Sequence, residues 1–201
     1  YQYDRPEAEI LKKYCKTVAY YPRLTGFISQ LSLKPYIVVS RRSEMLLKNL
    51  LQDNHPILFE GLHSCYYLNH KALKGRTLIY RESNIEHDYY FNLFKSERSL
   101  GRKLFFLAES LKLRLYQKQL QHSTRMLVVS QTDRDYLAAK FPRKDVVYLP
   151  SFHGNNEVKS LPGKGNYVLY HGNLSVGENL LAAQYLVKEV FDDLPVKFKI
   201  A

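Results

Sequence analysis

The sequence predicts an α/β protein in which a parallel sheet is flanked by helices. Short apolar runs that are typical of buried strands alternate with longer amphipathic segments along the 201 residues. A strand that returns to the same sheet through a helix runs parallel to the strand before it, so this alternation favours parallel pairing. Hydrophobic residues make up 45% of the chain, which is enough for a packed core.

Strands are predicted where aliphatic, β-branched and aromatic residues cluster between turn-forming residues. They span 16–21, 56–60, 77–80, 126–129, 146–149, 167–170 and 196–200. Pro22 and Pro150 end two of these strands, because proline has no N–H to donate to a ladder.

Helices are predicted where apolar residues recur every three or four positions or where a capping residue opens the segment. They span 7–13, 41–53, 64–70, 99–122, 130–140 and 177–191. Ser130 with Asp133, and Ser175 with Glu178, have the spacing of a capping box at the start of the last two helices.

The segment 151–166 is predicted to be a linker. It is rich in Ser, Gly, Asn, Pro and Lys and has neither helical nor strand periodicity. It separates a first domain at residues 1–150 from the beginning of a second domain at 167–201.

The charge of the chain predicts an anionic partner. A formal net charge of +11 suits a phosphate-bearing substrate, a membrane surface or nucleic acid, and the charge alone does not choose among them. Cys15 and Cys65 have no metal-ligand or disulfide-framework spacing, which argues against a metal site and favours a reducing compartment. No apolar run is long enough to span a bilayer and no export signal opens the chain, so we expect a cytoplasmic protein.

The segment RESNIEHDYY, residues 81–90, is the strongest candidate for a site. It follows an apolar strand directly, and open α/β sheets bind ligands outside the carboxyl ends of their strands. We expect His87 to act as a catalytic acid or base, Glu86 to orient an imidazole and Arg81 to anchor a phosphate or carboxylate. The alternative is a solvated loop in which Asn84 caps the next helix.

A second polar group follows the strand at 56–60. Glu60 and His63 stand there in the sequence EGLH. Because parallel strands place their carboxyl ends along one edge, we expect both residues to face the same crevice as Arg81 and His87. A lone His63 on the surface is the alternative.

The turn HGNLS, which begins at His171, lies between a predicted strand and a predicted helix. Its backbone N–H groups and the positive end of the helix are suited to a diphosphate. The chain has no GxGxxG fingerprint, and Gly163-Lys164-Gly165 is not a P-loop because it precedes a strand.

The predicted helix 99–122 carries a leucine repeat with basic residues around it: Leu100, Leu104, Leu107, Leu111 and Leu115. Apolar helix faces are usually buried in the core, so we expect the leucines there. A membrane-facing helix is the alternative.

The segments RESNIEHDYY, VVSQTDRDYL and YHGNLSVGENLLAAQYL resemble those of retaining glycosyltransferases of the GT-B type, a group that includes bacterial capsule and lipopolysaccharide mannosyl- and glucosyltransferases. Such enzymes have two Rossmann-like domains, of which the first binds the acceptor and the second the nucleotide-sugar donor. The resemblance implies that the donor diphosphate lies near His171, Gly172 and Asn173. It places Arg81, Asn84, Glu86 and His87 on the acceptor side. We expect Glu60, His63 and Ser83 to bind substrate beside them.

The chain also departs from the pattern of this family in two ways. Ser83 stands where relatives often have a histidine near the transferred sugar, which leaves His87 either as the substitute or as a mere neighbour of the site. The chain would lack the first strand-helix unit of the acceptor domain and would continue past Ala201 in the donor domain, so we expect it to be inactive alone.

The predicted function is transfer of a hexose from a nucleotide-sugar to a glycan or lipid-linked acceptor in cell-surface polysaccharide biosynthesis. The predicted site needs no metal and no cofactor other than the nucleotide-sugar. We also expect the protein to make peripheral contact with the inner face of the membrane. One alternative is a non-enzymatic basic module that binds anionic lipid or nucleic acid, although scattered charge and the lack of a nucleic-acid motif argue against specific nucleic acid. A nucleotide-sugar epimerase or dehydrogenase would need the missing dinucleotide fingerprint.

Overall fold

A computed structural model describes residues 9–154, 156–160 and 162–201. The chain forms two compact units. The first holds the described residues up to His87 together with Glu109–Pro150, and the second holds Asp88–Ala108 and the described residues from Ser151 to Ala201.

The first unit contains a four-stranded sheet in the order β1-β2-β3-β4, and all three neighbouring pairs are parallel. The strands are β1 (Ile57–Glu60), β2 (Leu78–Glu82), β3 (Arg125–Val128) and β4 (Asp145–Tyr148). Helices flank this sheet, so the predicted Rossmann-like α/β class is confirmed.

The helices of the chain are α1 (Phe27–Gln30), α2 (Tyr36–Val39), α3 (Glu44–Leu50), α4 (Glu86–Ser96), α5 (Leu100–Tyr116), α6 (Gln131–Lys140) and α7 (Gly177–Tyr185). Short 3₁₀ turns cover Glu9–Lys13, Leu62–Tyr67, Lys71–Leu73 and Gln117–His122, and a π turn covers Leu186–Val190. The α6 prediction is confirmed with its cap, since Ser130 Oγ accepts a hydrogen bond from the Asp133 N–H at 3.4 Å.

The strand β2 runs two residues further than its apolar run predicts. Leu78, Tyr80 and Glu82 alternate with more exposed neighbours, so they share the buried face of the strand. Arg81 and Glu82 are therefore strand residues and not part of a polar turn. This extension puts the Glu82 side chain in the core.

The predicted strand at 16–21 is wrong. The segment forms no helix or strand and pairs with none of the described strands, and most of its side chains are exposed. Its β-branched and aromatic residues favour a strand only where neighbouring strands and a buried face are present. A hydrogen bond from Asn49 Nδ2 to the Tyr21 hydroxyl, at 2.7 Å, holds its end on α3 instead.

Two predicted helices are shorter than their apolar patterns. The segment 41–53 contains α3 alone, because Ser43 caps the helix and Leu51 ends it. The segment 64–70 forms a 3₁₀ turn that begins earlier, at Leu62. The prediction at 7–13 is met by the 3₁₀ turn Glu9–Lys13, and its first two residues lie outside the described range.

The leucine row of α5 is not in the core, which contradicts the prediction. Leu100, Leu104, Leu111 and Leu115 are 54 to 78% exposed and Leu107 is half-buried, whereas Glu109, Ser110, Leu113 and Tyr116 are buried. The helix presents its Glu109 face to the core because Glu109 accepts a hydrogen bond from the Tyr36 N–H at 2.6 Å and forms an ion pair with Lys112 at 3.0 Å. None of the described helices is long and apolar enough to cross a membrane.

The second unit contains the parallel pair β5 (Val168–Tyr170) and β6 (Phe198–Ile200), with α7 between them in the sequence. The strand-helix-strand order is as predicted. The predicted capping box is wrong: the N-cap of α7 is Val176, which provides no side-chain cap. Ser175 Oγ donates to Asn173 Oδ1 at 2.7 Å instead. The described residues of 151–166 form no helix or strand.

Candidate active site

The carboxyl edge of the sheet brings Glu60 and Arg81 together. They are register partners at the ends of β1 and β2. Arg81 Nη1 donates to Glu60 Oε1 at 2.5 Å, and half of the Glu60 side chain is exposed. The two residues thus lie side by side at this edge, as the parallel arrangement predicts.

The chain turns sharply at Gly61, directly after β1. Gly61 has a φ of 73°, which favours glycine, and its N–H donates to the Arg81 carbonyl at 2.8 Å. A Cβ at this position would lie 2.6 Å from the His63 ring and 3.0 Å from Glu86 Oε1. The turn therefore brings His63 back over the backbone and against Glu86.

Glu86 and His63 form the central pair of the candidate site. His63 Nδ1 lies 2.8 Å from Glu86 Oε1, and the same oxygen accepts the His63 backbone N–H at 3.2 Å. Because a carboxylate only accepts, Nδ1 carries a proton, and in the neutral ring Nε2 is then an acceptor. The His63 side chain is 37% exposed and that of Glu86 only 9%. The pair thus presents an oriented imidazole with a buried carboxylate behind it.

Glu82 is a fully buried acid next to this pair, and the sequence analysis assigned it no role. The Tyr80 hydroxyl donates a short hydrogen bond to its carboxyl group. Burial raises the pKa of Glu82 to about 8, and the Glu86 charge adds to the rise, while the Tyr80 hydrogen bond opposes it. The signal for this position was the alternation Leu78, Tyr80, Glu82, which places the carboxyl group on the buried face.

The His87 side chain differs from that of His63 in its exposure. It is almost fully buried, and its ring is 6.1 Å from the Tyr136 ring between centroids. Ser110 Oγ donates to the His87 carbonyl at 2.8 Å, which ties α4 to α5. The structure therefore buries the His87 ring beside Tyr136, whereas the Glu86 carboxylate contacts the partly exposed His63 ring.

Ser83 and Asn84 are the exposed part of the predicted cluster. Both lie in the bend between β2 and α4, and Ser83 Oγ donates to Asn84 Oδ1 at 3.1 Å. The strand ends at Glu82, and both residues are exposed in the bend that follows it. They remain available for hydrogen bonds to a ligand at the carboxyl edge.

Hydrogen bonds from the buried side chains of Cys65 and Tyr116 hold the turn after β1. The Tyr116 hydroxyl donates to the Cys65 carbonyl at 3.0 Å, and the Cys65 thiol donates to the Gly61 carbonyl at 3.6 Å. Burial raises the pKa of both side chains. These contacts fix the backbone that carries His63.

Two cavities of the first unit lie beside the 3₁₀ turn that carries His63. A cavity of about 650 Å³ is lined by Arg42, Glu44, Tyr66 and His70 among others. A smaller one, of about 330 Å³, has a different lining that includes Arg23, Arg41 and Ser64. The sequence analysis missed both because they combine side chains from segments that lie far apart in the chain.

The turn 171–173 belongs to the second unit, and its polar groups are partly used within the turn. Asn173 Oδ1 accepts from the Ser175 N–H at 3.0 Å, and the Gly172 N–H donates to the Ala201 carbonyl at 3.1 Å. His171 is exposed. This turn sets the entry into α7.

A cavity of about 530 Å³ lies in the second unit at the start of α7. Ser175, Val176 and Gly177 line it together with Arg98 and Arg102. Since α7 has no side-chain cap, its first N–H groups are suited to an anion, as are the two guanidinium groups. The arginines lie near α7 only through the tertiary structure, and the sequence analysis did not select them.

No protein-family model and no solved structure matches the chain. A protein of Klebsiella pneumoniae described as "Uncharacterized 44.6 kDa protein in cps region" is 24% identical over 194 residues. The match covers 93% of this chain and 48% of that protein, so the chain spans about half the length of the curated relative it matches.

Proposed function

We propose that the chain forms the acceptor domain and the beginning of the nucleotide-sugar domain of a hexosyltransferase in cell-surface polysaccharide biosynthesis. The observation that carries the proposal is the Glu86–His63 pair at the carboxyl edge of a parallel sheet, where open α/β sheets bind ligands. The resemblance of three segments to GT-B glycosyltransferases supports it. So does the distant match to a cps-region protein, since cps abbreviates capsular polysaccharide.

On the acceptor side, His63 is the residue that touches the reacting hydroxyl. Its Nε2 accepts a hydrogen bond from that hydroxyl, while Glu86 holds the ring through Nδ1. This assigns to His63 the contact that the sequence analysis gave to His87, because the His63 ring is partly exposed and the His87 ring is buried. Positioning and charge stabilisation of this kind are effective when the groups are held before the substrate arrives.

The remaining polar groups of the carboxyl edge suit a sugar. Glu60 and Arg81 provide a carboxylate and a guanidinium group, and Ser83 and Asn84 are exposed beside them. Fixed charged and amide groups form directional hydrogen bonds to neighbouring hydroxyls. These four residues are assigned to orientation of the acceptor.

On the donor side, the start of α7 with Arg98 and Arg102 is assigned to the diphosphate of the nucleotide-sugar. His171, Gly172 and Asn173 shape the turn that leads into this helix. In the reaction, a bond forms between the acceptor oxygen and C1 of the hexose. The bond from C1 to the diphosphate breaks, and the nucleoside diphosphate leaves with the electron pair and takes up the acceptor proton.

The test is an assay of the complete gene product against a panel of nucleotide-sugars with glycan and lipid-linked acceptors. We expect release of a nucleoside diphosphate that depends on the acceptor, and formation of a glycosylated product. Epimerisation or oxidation of the nucleotide-sugar, or no turnover with any donor by the folded protein, would overturn the proposal.

A further inference from the structure

The exposed leucines of α5 form a continuous row along one side of this helix. At 100° per residue, Leu100, Leu104, Leu111 and Leu115 fall within about 60° of the helix circumference. Each of them is more than half exposed. Single exposed leucines are ordinary, but a row of four on one helix is an apolar surface that needs an explanation.

The row faces outward because the other side of α5 is firmly held. Glu109 is fully buried and binds the Tyr36 N–H and Lys112. Ser110 binds the His87 carbonyl, and Leu113 is completely buried. A rotation that buried the leucines would leave these polar groups without partners and would expose Leu113.

The charges near the row are positive. Arg114 and Lys118 are exposed, and Lys103 lies along the same side of the helix as Arg114. The only carboxylate between residues 100 and 122 is Glu109, which is buried and paired with Lys112. The exposed surface of α5 therefore combines apolar side chains with cations and lacks a negative group.

We propose that this leucine row docks on an anionic lipid bilayer, with α5 parallel to the surface. The leucines enter the boundary between headgroups and acyl chains, and the cations contact lipid phosphates, as in interfacial amphipathic helices. The proposal does not depend on transferase activity.

Two other occupants fit the surface less well. A nucleic acid would bind the cations but leave the leucines in water, because phosphates offer them no apolar contact. A second copy of the chain, packed on the row, would bring the cations of both copies into one interface, and α5 offers them no exposed carboxylate as a partner. A bilayer satisfies the apolar and the charged groups together.

The experiment is co-sedimentation of the complete gene product with phosphatidylcholine vesicles, with and without phosphatidylglycerol. We expect binding that requires phosphatidylglycerol and that falls by roughly tenfold or more in the double variant Leu111→Gln, Leu115→Gln. The matched control is Leu33→Gln, since Leu33 is 94% exposed and lies outside α5. Arg114→Gln with Lys118→Gln should weaken binding and reduce its salt dependence, whereas Lys48→Gln should not.

A second measurement locates the contact directly. In a Cys15→Ser background, an environment-sensitive fluorophore at Leu111→Cys should shift to the blue on addition of phosphatidylglycerol vesicles, and one at Leu33→Cys should not. Equal binding by the leucine variants would overturn the proposal. A Leu111→Cys thiol that is shielded without vesicles would also overturn it, because another part of the protein would then cover the row. A dimer that the leucine variants abolish would overturn it too, because a second copy would then cover the row.

Discussion

His63 Nδ1 lies 2.8 Å from Glu86 Oε1, although 23 residues separate them in the chain. One is at the turn after β1 and the other in the first turn of α4. The contact needs the positive φ of Gly61, and it gives the imidazole one fixed orientation. Four predictions follow from this pair and its surroundings, each in the complete gene product.

Replacement of His63 by Ala should lower turnover by ~10²- to 10⁴-fold, because a hydrogen-bond acceptor that orients the reacting hydroxyl is lost. The melting temperature should change little, since the ring is partly exposed. His87→Ala is the matched comparison: it removes a buried ring and should cost about 1 to 3 kcal/mol of stability, while activity per folded molecule is preserved. Rates and melting curves of both variants show which histidine is catalytic. A loss of activity in His87→Ala with a loss of stability in His63→Ala would make His87 the catalytic histidine.

Gly61→Ala should lower the free energy of unfolding by more than the strain of its backbone conformation alone, because it also disturbs the contact between His63 and Glu86. The φ of 73° and ψ of 155° at Gly61 cost an L-residue roughly 1–3 kcal/mol, and here the added methyl group would also press on the His63 ring. Gly75→Ala is the control, because Gly75 has a φ of 85° but nothing within 4 Å of its Cβ position. Urea unfolding of both variants should show a larger loss for Gly61→Ala, accompanied by loss of activity. Equal losses would mean that the turn relaxes without cost.

Stability should fall as the pH rises from about 4.5 to about 8, through the titration of Glu82. Its pKa in the folded protein is about 8, against an ordinary value of 4.5, so the folded state holds a proton that the unfolded state has already released. Each pKa unit corresponds to about 1.4 kcal/mol, so the effect is a few kcal/mol. Glu82→Gln should remove this decline and raise the melting temperature near pH 8.

The control for this pH series is Glu189→Gln, which changes an exposed carboxylate in the second unit. It should leave the slope of stability against pH unchanged. A decline in Glu82→Gln as steep as in the parent protein would show that another group is responsible.

The two cysteines should differ strongly in reactivity. Cys15 is exposed and Cys65 is buried, and burial raises the pKa of the Cys65 thiol, so its reactive thiolate is disfavoured. A thiol reagent at pH 8 should label Cys15 at once and Cys65 only after unfolding. In the variant Cys15→Ser, rapid labelling of Cys65 itself, read from its peptide by mass spectrometry, would mean that the turn under His63 opens readily.

The sequence alone determined the fold class and the meeting of Glu60 with Arg81. Both follow from local patterns: alternating strands and helices make a parallel sheet, and parallel strands end at one edge. The same patterns predicted most strands to within one or two residues. They failed at 16–21, because strand-forming residues become a strand only beside a partner.

Only the tertiary structure decided which side chains meet and which face of a helix is buried. Glu86 pairs with His63, 23 residues away in the chain, because the turn at Gly61 brings this distant imidazole within hydrogen-bond distance. The leucines of α5 face outward because Glu109 binds Tyr36, which is 73 residues away in the chain. Periodicity shows that a helix has an apolar side, but the partners of its buried polar groups determine where that side points.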